Sequence, residues 1–343
     1  MKQSTRNLWL QTITGAMIII LLFWQAQRGR IVELDSGFRM TMGTFARVLV
    51  AASDKQAAEA SVEAAFATFD RIEAMMSDYD PNSQLCEVNR RAFFEPAAVD
   101  AELFEVLSAA AEYSRLSDGA FDITVGPVVQ LWREARQTGN TPDPEAIEQA
   151  RAKVGSRHLL LDDENRTVRF AVEGMLLDVG GIAKGYAIDK AVEAMQQAGA
   201  IGGMVDIGGD LACFGRAVGN QPHWFIGLQD PDDEQTYLLR LRLDNRAAAT
   251  SGDYRRFVIV NDRKYSHIVN PAAAETAERL SSVTVIAPSA MQADALATAV
   301  SVLGPEKGLA LIETIDQVEA ILIPAERPKQ LLKTSGAAAY VVD

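Results

Sequence analysis

The chain has 343 residues, enough to bury a full core as one large domain or two closely joined ones. Its 33 Lys and Arg face 46 Asp and Glu, a net charge of −13, which argues against a nucleic-acid surface built on clustered cations. Cys86, Cys213, His158, His223 and His267 show no CxxC, HExxH or HxH spacing, which argues against thiolate zinc and histidine-rich metal centres and leaves open a hard, oxygen-ligated cation such as Mg²⁺. A Cys86–Cys213 bridge cannot be read from spacing; two small apolar side chains is the favoured reading.

In chain order, the first element is apolar. No charged residue occurs from Asn7 to Gln27, with Lys2 and Arg6 before the segment and Arg28 and Arg30 after it. The length suits the roughly 20 residues that span a bilayer. Residues 1–30 are read as an uncleaved membrane anchor, a cleaved signal being the competitor, and the balanced flanking cations do not set its orientation. Residues 31–38 read as a linker and 39–343 as one catalytic domain.

Met40–Ala51 reads as a strand. Ser53 and Gln56 form a capping-box pattern ahead of a helix whose Ala58, Val62, Ala65, Phe69, Ile72 and Met76 recur at helical spacing. Residues 77–83 are dense in turn formers, a second helix runs over Ala101–Leu116, and Pro142 and Pro144 precede a short one. Strands are expected at His158–Leu161, Val168–Ala171 and Met175–Leu177. A helix with Ile188, Val192 and Met195 on one face then stops at Gly199. Short strands follow around Met204, Leu211, Phe225, Leu239, Ala248 and Val258, then Val283–Ala287 and a helix over Ala290–Leu303. Short, often adjacent strands among helices predict an α+β fold with mixed, mainly antiparallel sheets and packed helices.

Leu177-Asp178-Val179-Gly180-Gly181-Ile182-Ala183-Lys184-Gly185-Tyr186 carries most of the chemistry. A glycine-rich turn into a helix N-terminus suits a phosphate, and the acid before it can fix a polar ligand edge. The segment has neither the frame of a P-loop nor G-x-G-x-x-G, so by itself it is equally a plain turn. On the helix after Pro288, Asp294 and Thr298 stand four residues apart on one face, a half-site for Mg²⁺ or else a solvated polar face. His267, at a strand end before Asn270-Pro271, can move a proton or simply be structural. Tyr79 in its turn and Ala120-Phe121-Asp122 after Gly119 offer aromatic faces and an acid.

Together these segments resemble the ApbE family of flavin transferases, which move FMN from FAD onto protein threonine or serine. The matching stretches also include Met42-Gly43-Thr44, Ser77-Asp78-Tyr79, Val205-Asp206-Ile207-Gly208-Gly209-Asp210, Thr250-Ser251-Gly252-Asp253-Tyr254 and Ser266-His267-Ile268-Val269-Asn270-Pro271, in family order across nearly everything after Met40. The resemblance implies an ApbE or T-fold-like domain with FAD as substrate, lined by Met42, Tyr79, Ala120, Phe121, Asp122, Asp178, Lys184, His267 and Ile268. It implies Mg²⁺ on the Gly181 carbonyl, Asp294 and Thr298. For catalysis, Lys184 can steady the equatorial phosphate oxygens, and His267 and Asp294 are the two candidates for the base, Asp294 being better spent on the metal. It also implies flavoprotein subunits of Nqr- and Rnf-type redox complexes as clients, and the periplasmic side of the bacterial inner membrane as location. Many members are lipoproteins. This chain has no lipobox cysteine at the end of its apolar segment, so that segment must do the anchoring. Two other readings use the same pocket: an FAD pyrophosphatase giving FMN and AMP, and a non-enzymatic, membrane-tethered FAD-binding protein.

Overall fold

The computed structural model describes residues 31–252, 257–260, 263–326 and 330–342. The apolar segment lies outside them, as do Asp253 and Tyr254. Among the described residues no helix is long and apolar enough to cross a membrane.

Residues 31–38 are not a linker throughout. Strand β1 (Val32–Asp35) pairs antiparallel with β3 (Thr44–Ala52), Val32 opposite Ala52. The strand expected over Met40–Ala51 is a hairpin. β2 (Arg39–Thr41) turns into β3 through Met42 and Gly43, whose φ values of +48° and +69° are those of a two-residue type I′ turn. Asp54 rather than Ser53 caps helix α1 (Lys55–Met76), accepting the Ala57 amide at 2.9 Å, and the apolar stripe of α1 is buried as its spacing requires.

The turn at 77–83 feeds a helix absent from the sequence reading, α2 (Gln84–Arg91), capped by Ser83. After β4 (Ala97–Ala98), α3 (Ala101–Leu116) has the expected ends. Next come α4 (Gly126–Thr138), also absent from the sequence reading, and α5 (Pro144–Arg151). Gly126-Pro127 looks like loop punctuation but forms the first turn of α4. A Cβ at Gly126 would lie 2.5 Å from the Leu176 carbonyl oxygen, so glycine permits the approach. β5 (Leu159–Asp162) and β6 (Thr167–Phe170) join β4 in a small antiparallel sheet. Met175–Leu177 is not a strand: Leu176 makes one parallel bridge to Val125.

Helix α6 (Ala183–Gln197) leads to β7 (Ala200–Ile207), β8 (Asp210–Gly215), β9 (Phe225–Asp230), β10 (Asp233–Arg242) and β11 (Arg246–Gly252). Two short ribbons follow, β12 (Phe257–Val260) with β13 (Arg263–Ser266) and β14 (Val269–Asn270) with β15 (Glu275–Thr276). β16 (Leu280–Ala287) precedes α7 (Ala290–Leu303), α8 (Pro305–Ile312), β17 (Glu319–Pro324), β18 (Leu332–Lys333) and β19 (Val341–Val342).

A nine-stranded sheet of order β1-β3-β7-β8-β11-β16-β17-β18, with β2 beside β3, is the frame. Its ladders are antiparallel, so the mixed α+β, mainly antiparallel expectation holds. Neighbouring residues serve opposite faces, as a pleat requires. Val205, Ala212, Val285 and Leu322 face the helical side. Met204, Leu211, Cys213, Ile286 and Ile321 face a second core with Trp224, Leu228 and Leu241. Both faces are thus covered, by α1, α6 and α7 on one side and by the sheet β19-β10-β9 on the other. The two cysteines are free, and burial pushes the Cys213 thiol up, out of reach of ionisation.

Candidate active site

The glycine block is a scaffold before it is a cradle. The Asn89 side chain clasps Leu177, accepting its amide at 2.7 Å and donating to its carbonyl at 3.1 Å. The Asp178 amide donates to the Ile123 carbonyl at 2.7 Å, and Asp178 Oδ1 accepts the Gly180 amide at 2.8 Å. Ala183 donates to the Val179 carbonyl. Helix α6 has no side-chain cap of its own; instead Asp294 Oδ2, from α7, accepts the Gly185 amide at 3.1 Å. Several amides that the sequence suggested as phosphate donors are therefore already engaged.

What the block supplies is proximity. On α7, Ser289 accepts the Gln292 amide at 3.2 Å, while Asp189 of α6 accepts the Ala290 and Met291 amides at 2.7 and 2.9 Å. A Cβ at Gly185 would lie 2.3 Å from the Ala290 carbonyl oxygen, and one at Gly181 would lie 3.0 Å from Thr298 Oγ1 and 3.4 Å from Phe121 Cε2. Gly181, Gly185 and Asp189 therefore meet Thr298, Asp294 and Ala290 in reverse order. Two four-residue stripes run antiparallel at backbone contact, possible only with glycine on one of them.

Charge collects at this crossing. Asp294 is buried and its carboxyl is pushed up to about 6, first by burial, with the Lys184 ammonium pulling it down and Asp210 adding to the rise. Lys184 Nζ pairs with Asp210 Oδ2 and stands 3.6 Å from Asp294 Oδ1. Asp210, at the start of β8, also accepts the Thr250 amide at 3.0 Å, and Thr250 Oγ1 is 2.9 Å from Thr284 Oγ1. The sequence reading gave Asp210 no role. Its signal was an acid directly after Gly208-Gly209, at φ of +65° and +97°, where the chain turns from β7 into β8.

A second wall stands upstream. Asp178 is half-buried and its carboxyl is raised by desolvation and by Asp78, against which Arg133 acts. Arg133 of α4, missed with its helix, reaches Asp178 at 3.0 Å and also pairs with Asp78. Tyr79 is 77% exposed, its ring centroid 4.8 Å from the Arg133 guanidinium carbon. These groups line a cavity of about 270 Å³ with Asn89 and Gln130.

The other expected residues fall on surrounding supports. Phe121 is buried behind Gly181, edge-on to Tyr113 at 6.3 Å, with Ala120 buried beside it. The carboxylate of Asp122 is committed to the fold: Oδ1 accepts the Thr124 amide and hydroxyl at 2.8 and 2.7 Å, and Oδ2 the Ser156 amide at 2.8 Å. Met42 sits in the β2–β3 turn, its amide 2.8 Å from Glu73 Oε2. That hairpin abuts the β7–β8 turn through Gly208 N to Phe45 O at 2.9 Å. His267 is exposed and Ile268 buried between β13 and β14; Tyr265 there lies 5.0 Å from Trp132, the neighbour of Arg133. Gly181, Lys184, Asp294, Thr298 and Phe121 thus form one contact group. Tyr79 and Asp178 form the wall beside it, and Met42, His267 and Ile268 stand on adjoining elements.

Among the described residues no group of three His, Cys, Asp or Glu side chains is arranged to hold a metal ion. A cation here would depend on Asp294 together with neutral oxygens, the hard-donor case.

The ApbE family model matches residues 42–322. The FAD:protein FMN transferase of Treponema pallidum is 33% identical over 326 residues, 90% of each chain. That of Haemophilus influenzae is 33% identical over 250 residues, 71% of this chain and 72% of the relative. Among solved structures, the ApbE protein of Thermotoga maritima superposes with a TM-score of 0.81 at 30% identity, over 92% of this chain and all of that one. The flavin transferase ApbE of Vibrio cholerae gives 0.79 at 29%, over 91% and 99%. With a match across most of its length in both sequence and fold, the chain belongs to the ApbE family.

Proposed function

We infer that this protein is a Mg²⁺-dependent FAD:protein FMN transferase, which moves FMN from FAD to a Thr or Ser hydroxyl of a client flavoprotein and releases AMP. The observation that carries this reading is the antiparallel contact of α6 and α7, which gathers Gly181, Lys184, Asp294 and Thr298 at one point. Relatives named FAD:protein FMN transferase support it over most of the chain.

The donor set fits Mg²⁺. The Asp294 carboxylate, the Thr298 hydroxyl and the Gly181 carbonyl are hard oxygens, and the missing Cβ at Gly181 leaves open the space beside Thr298 Oγ1. Bound there, the ion supplies neutralisation of the FAD pyrophosphate and assistance to the departing AMP.

The chain's own groups do the rest. Lys184, oriented by Asp210, faces the equatorial oxygens of the phosphorus under attack. Tyr79 and Asp178 hold a ring of FAD, the carboxylate accepting from a ring N–H. Phe121 backs the glycine turn. The client hydroxyl attacks the FMN-side phosphorus, the P–O bond to AMP breaks, and the hydroxyl proton passes to His267, because Asp294 is committed to the ion. Asp122, with three hydrogen bonds accepted within the fold, keeps the loop after Phe121 in place.

The uncharged stretch Asn7–Gln27 supports a membrane tether; the bacterial inner membrane and a catalytic body on its periplasmic side are what the family resemblance implies. The clients would be flavoprotein subunits of Nqr- or Rnf-type complexes. The test is AMP release by the full chain with FAD and Mg²⁺, with and without a client subunit. Release matched one-to-one by flavin on the client supports transfer. Full-rate release without the client means a pyrophosphatase, and flavin binding without release under either condition means a binding protein.

A further inference from the structure

The Tyr79–Asp178 wall contains a group that no motif points to. Arg133 projects from α4 between two chain segments that meet only in the folded protein, the turn carrying Asp78 and Tyr79 and the irregular run ending at Asp178. One guanidinium nitrogen pairs with Asp78, the other with Asp178 at 3.0 Å, and the guanidinium carbon stands 4.8 Å from the Tyr79 ring centroid. A planar fork with two donors and a stackable face can make all three contacts at once; an ammonium cannot.

Each contact leaves something open for a ligand. Tyr79 rests on the guanidinium yet remains 77% exposed, with ring surface to offer to a flat partner. Asp178 spends Oδ1 on the Gly180 amide and Oδ2 on Arg133, and each carboxylate oxygen has a further lone pair for an N–H donor. Asp78 and Asp178 also face the same cavity, and two carboxylates so close repel unless a cation stands between them. Arg90 and the half-buried Cys86 line the cavity from α2, but Arg90 donates to the Pro81 carbonyl at 2.7 Å.

We propose that Arg133 is the positioning residue of the FAD ring pocket: it locks the Tyr79 ring and the Asp178 carboxylate into the single arrangement against which a flat, N–H-bearing ring of FAD docks. This rests on the reading that Tyr79 and Asp178 contact FAD. Its effect is on binding, since the phosphate and metal group at Lys184, Asp294 and Thr298 is held separately by the α6–α7 crossing. Loss of Arg133 therefore raises KM and leaves kcat.

The test compares the full chain with Arg133→Gln, Arg133→Lys, Tyr79→Ala and Asp178→Asn, measuring FAD affinity by calorimetry and steady-state transfer to a client. Arg133→Gln is expected to weaken FAD binding and raise its KM by roughly tenfold, with Arg133→Lys between it and the parent, since it keeps charge without the fork. The kcat of both is expected to stay within about twofold, the mark of a ground-state binding effect. Parent-like FAD affinity in Arg133→Gln while Tyr79→Ala and Asp178→Asn lose it overturns the role of Arg133 and spares the pocket. Parent-like affinity in Tyr79→Ala and Asp178→Asn overturns the pocket and the proposal with it. A fall in kcat as large as the rise in KM also overturns it. If Arg133→Gln does not fold, Arg133→Lys decides: FAD affinity equal to the parent's overturns the proposal, and a several-fold loss supports it.

Discussion

Asp294 is a carboxylate that folding alone does not justify. Burial pushes it up to about 6, and Lys184, the cation that offsets this, is bound more closely to Asp210 than to Asp294. The proposed Mg²⁺ would account for the arrangement. Asp294→Asn keeps an oxygen for the Gly185 amide, so its melting temperature is expected to move little, while transfer falls by about a hundredfold or more and the Mg²⁺ requirement rises. Equal losses of stability and activity would make the residue structural. Gly181→Ala places a methyl 3.0 Å from Thr298 Oγ1. It is expected to fold, because the backbone there suits any residue, but to need more Mg²⁺ for half-maximal rate; unchanged metal dependence would remove Gly181 from the site. Asp294, Thr298 and the glycine block were legible as positions, one helix face and one helix start, because spacing and local pattern mark them, while their roles came only from the family resemblance. Arg133 was not, because it acts on partners distant in sequence and its neighbourhood carries no glycine signal; Asp210 follows Gly208-Gly209, a turn signal that names no role, because its partners Lys184 and Thr250 lie elsewhere in the chain.

At the scale of elements, the site is the product of one helix crossing. The reverse-ordered stripes of α6 and α7 require glycine at 185, where a Cβ would lie 2.3 Å from a backbone oxygen that cannot swing away. Two effects oppose each other in Gly185→Ala: helix propensity favours alanine by about 1 kcal/mol, and overpacking costs about 1–3 kcal/mol or more where backbone must move. The clash is expected to win, with a net loss of stability in denaturant unfolding and loss of activity as Asp294 leaves the Gly185 amide. A stabilised Gly185→Ala would mean that the helices are not in backbone contact. Both helices were legible in the sequence, α7 to its ends, because their apolar faces repeat at helical spacing and Ser289 and Gly199 mark boundaries. α4 was not, since its first turn is Gly126-Pro127, a pair chosen for close approach to Leu176 that reads as a break. The β2–β3 hairpin was hidden for the opposite reason: Met42 takes a left-handed turn position usually held by Asn or Gly.

The whole molecule carries a net charge of −13, buries Asp294 and holds Asp178 and Asp189 partly out of water. Burial pushes Asp189 up to about 6 although the Met291 and Ala290 amides pull it down. Its folded value lies above its unfolded one, so its stabilising share is complete below about pH 4 and is lost as pH rises through 6, about 3 kcal/mol across that window. The protein is accordingly expected to resist denaturant better at pH 5 than at pH 7, and Asp189→Asn to reduce that difference, with Asp294, raised into the same window, supplying the rest. Greater stability of the parent at pH 7 would contradict it. The surface acids that salt bridges or caps hold low, such as Asp35 and Asp54, act only below this window.

A site that joins FMN to a protein hydroxyl leaves a defined mass on its client. The most direct measurement is the intact mass of a client flavoprotein subunit after incubation with the full chain, FAD and Mg²⁺, with fragmentation to locate the modified residue. The expected result is a gain equal to FMN less one water, on a single threonine or serine, absent with Asp294→Asn. An unmodified client, with FAD consumed to free FMN and AMP or left intact, would contradict the account.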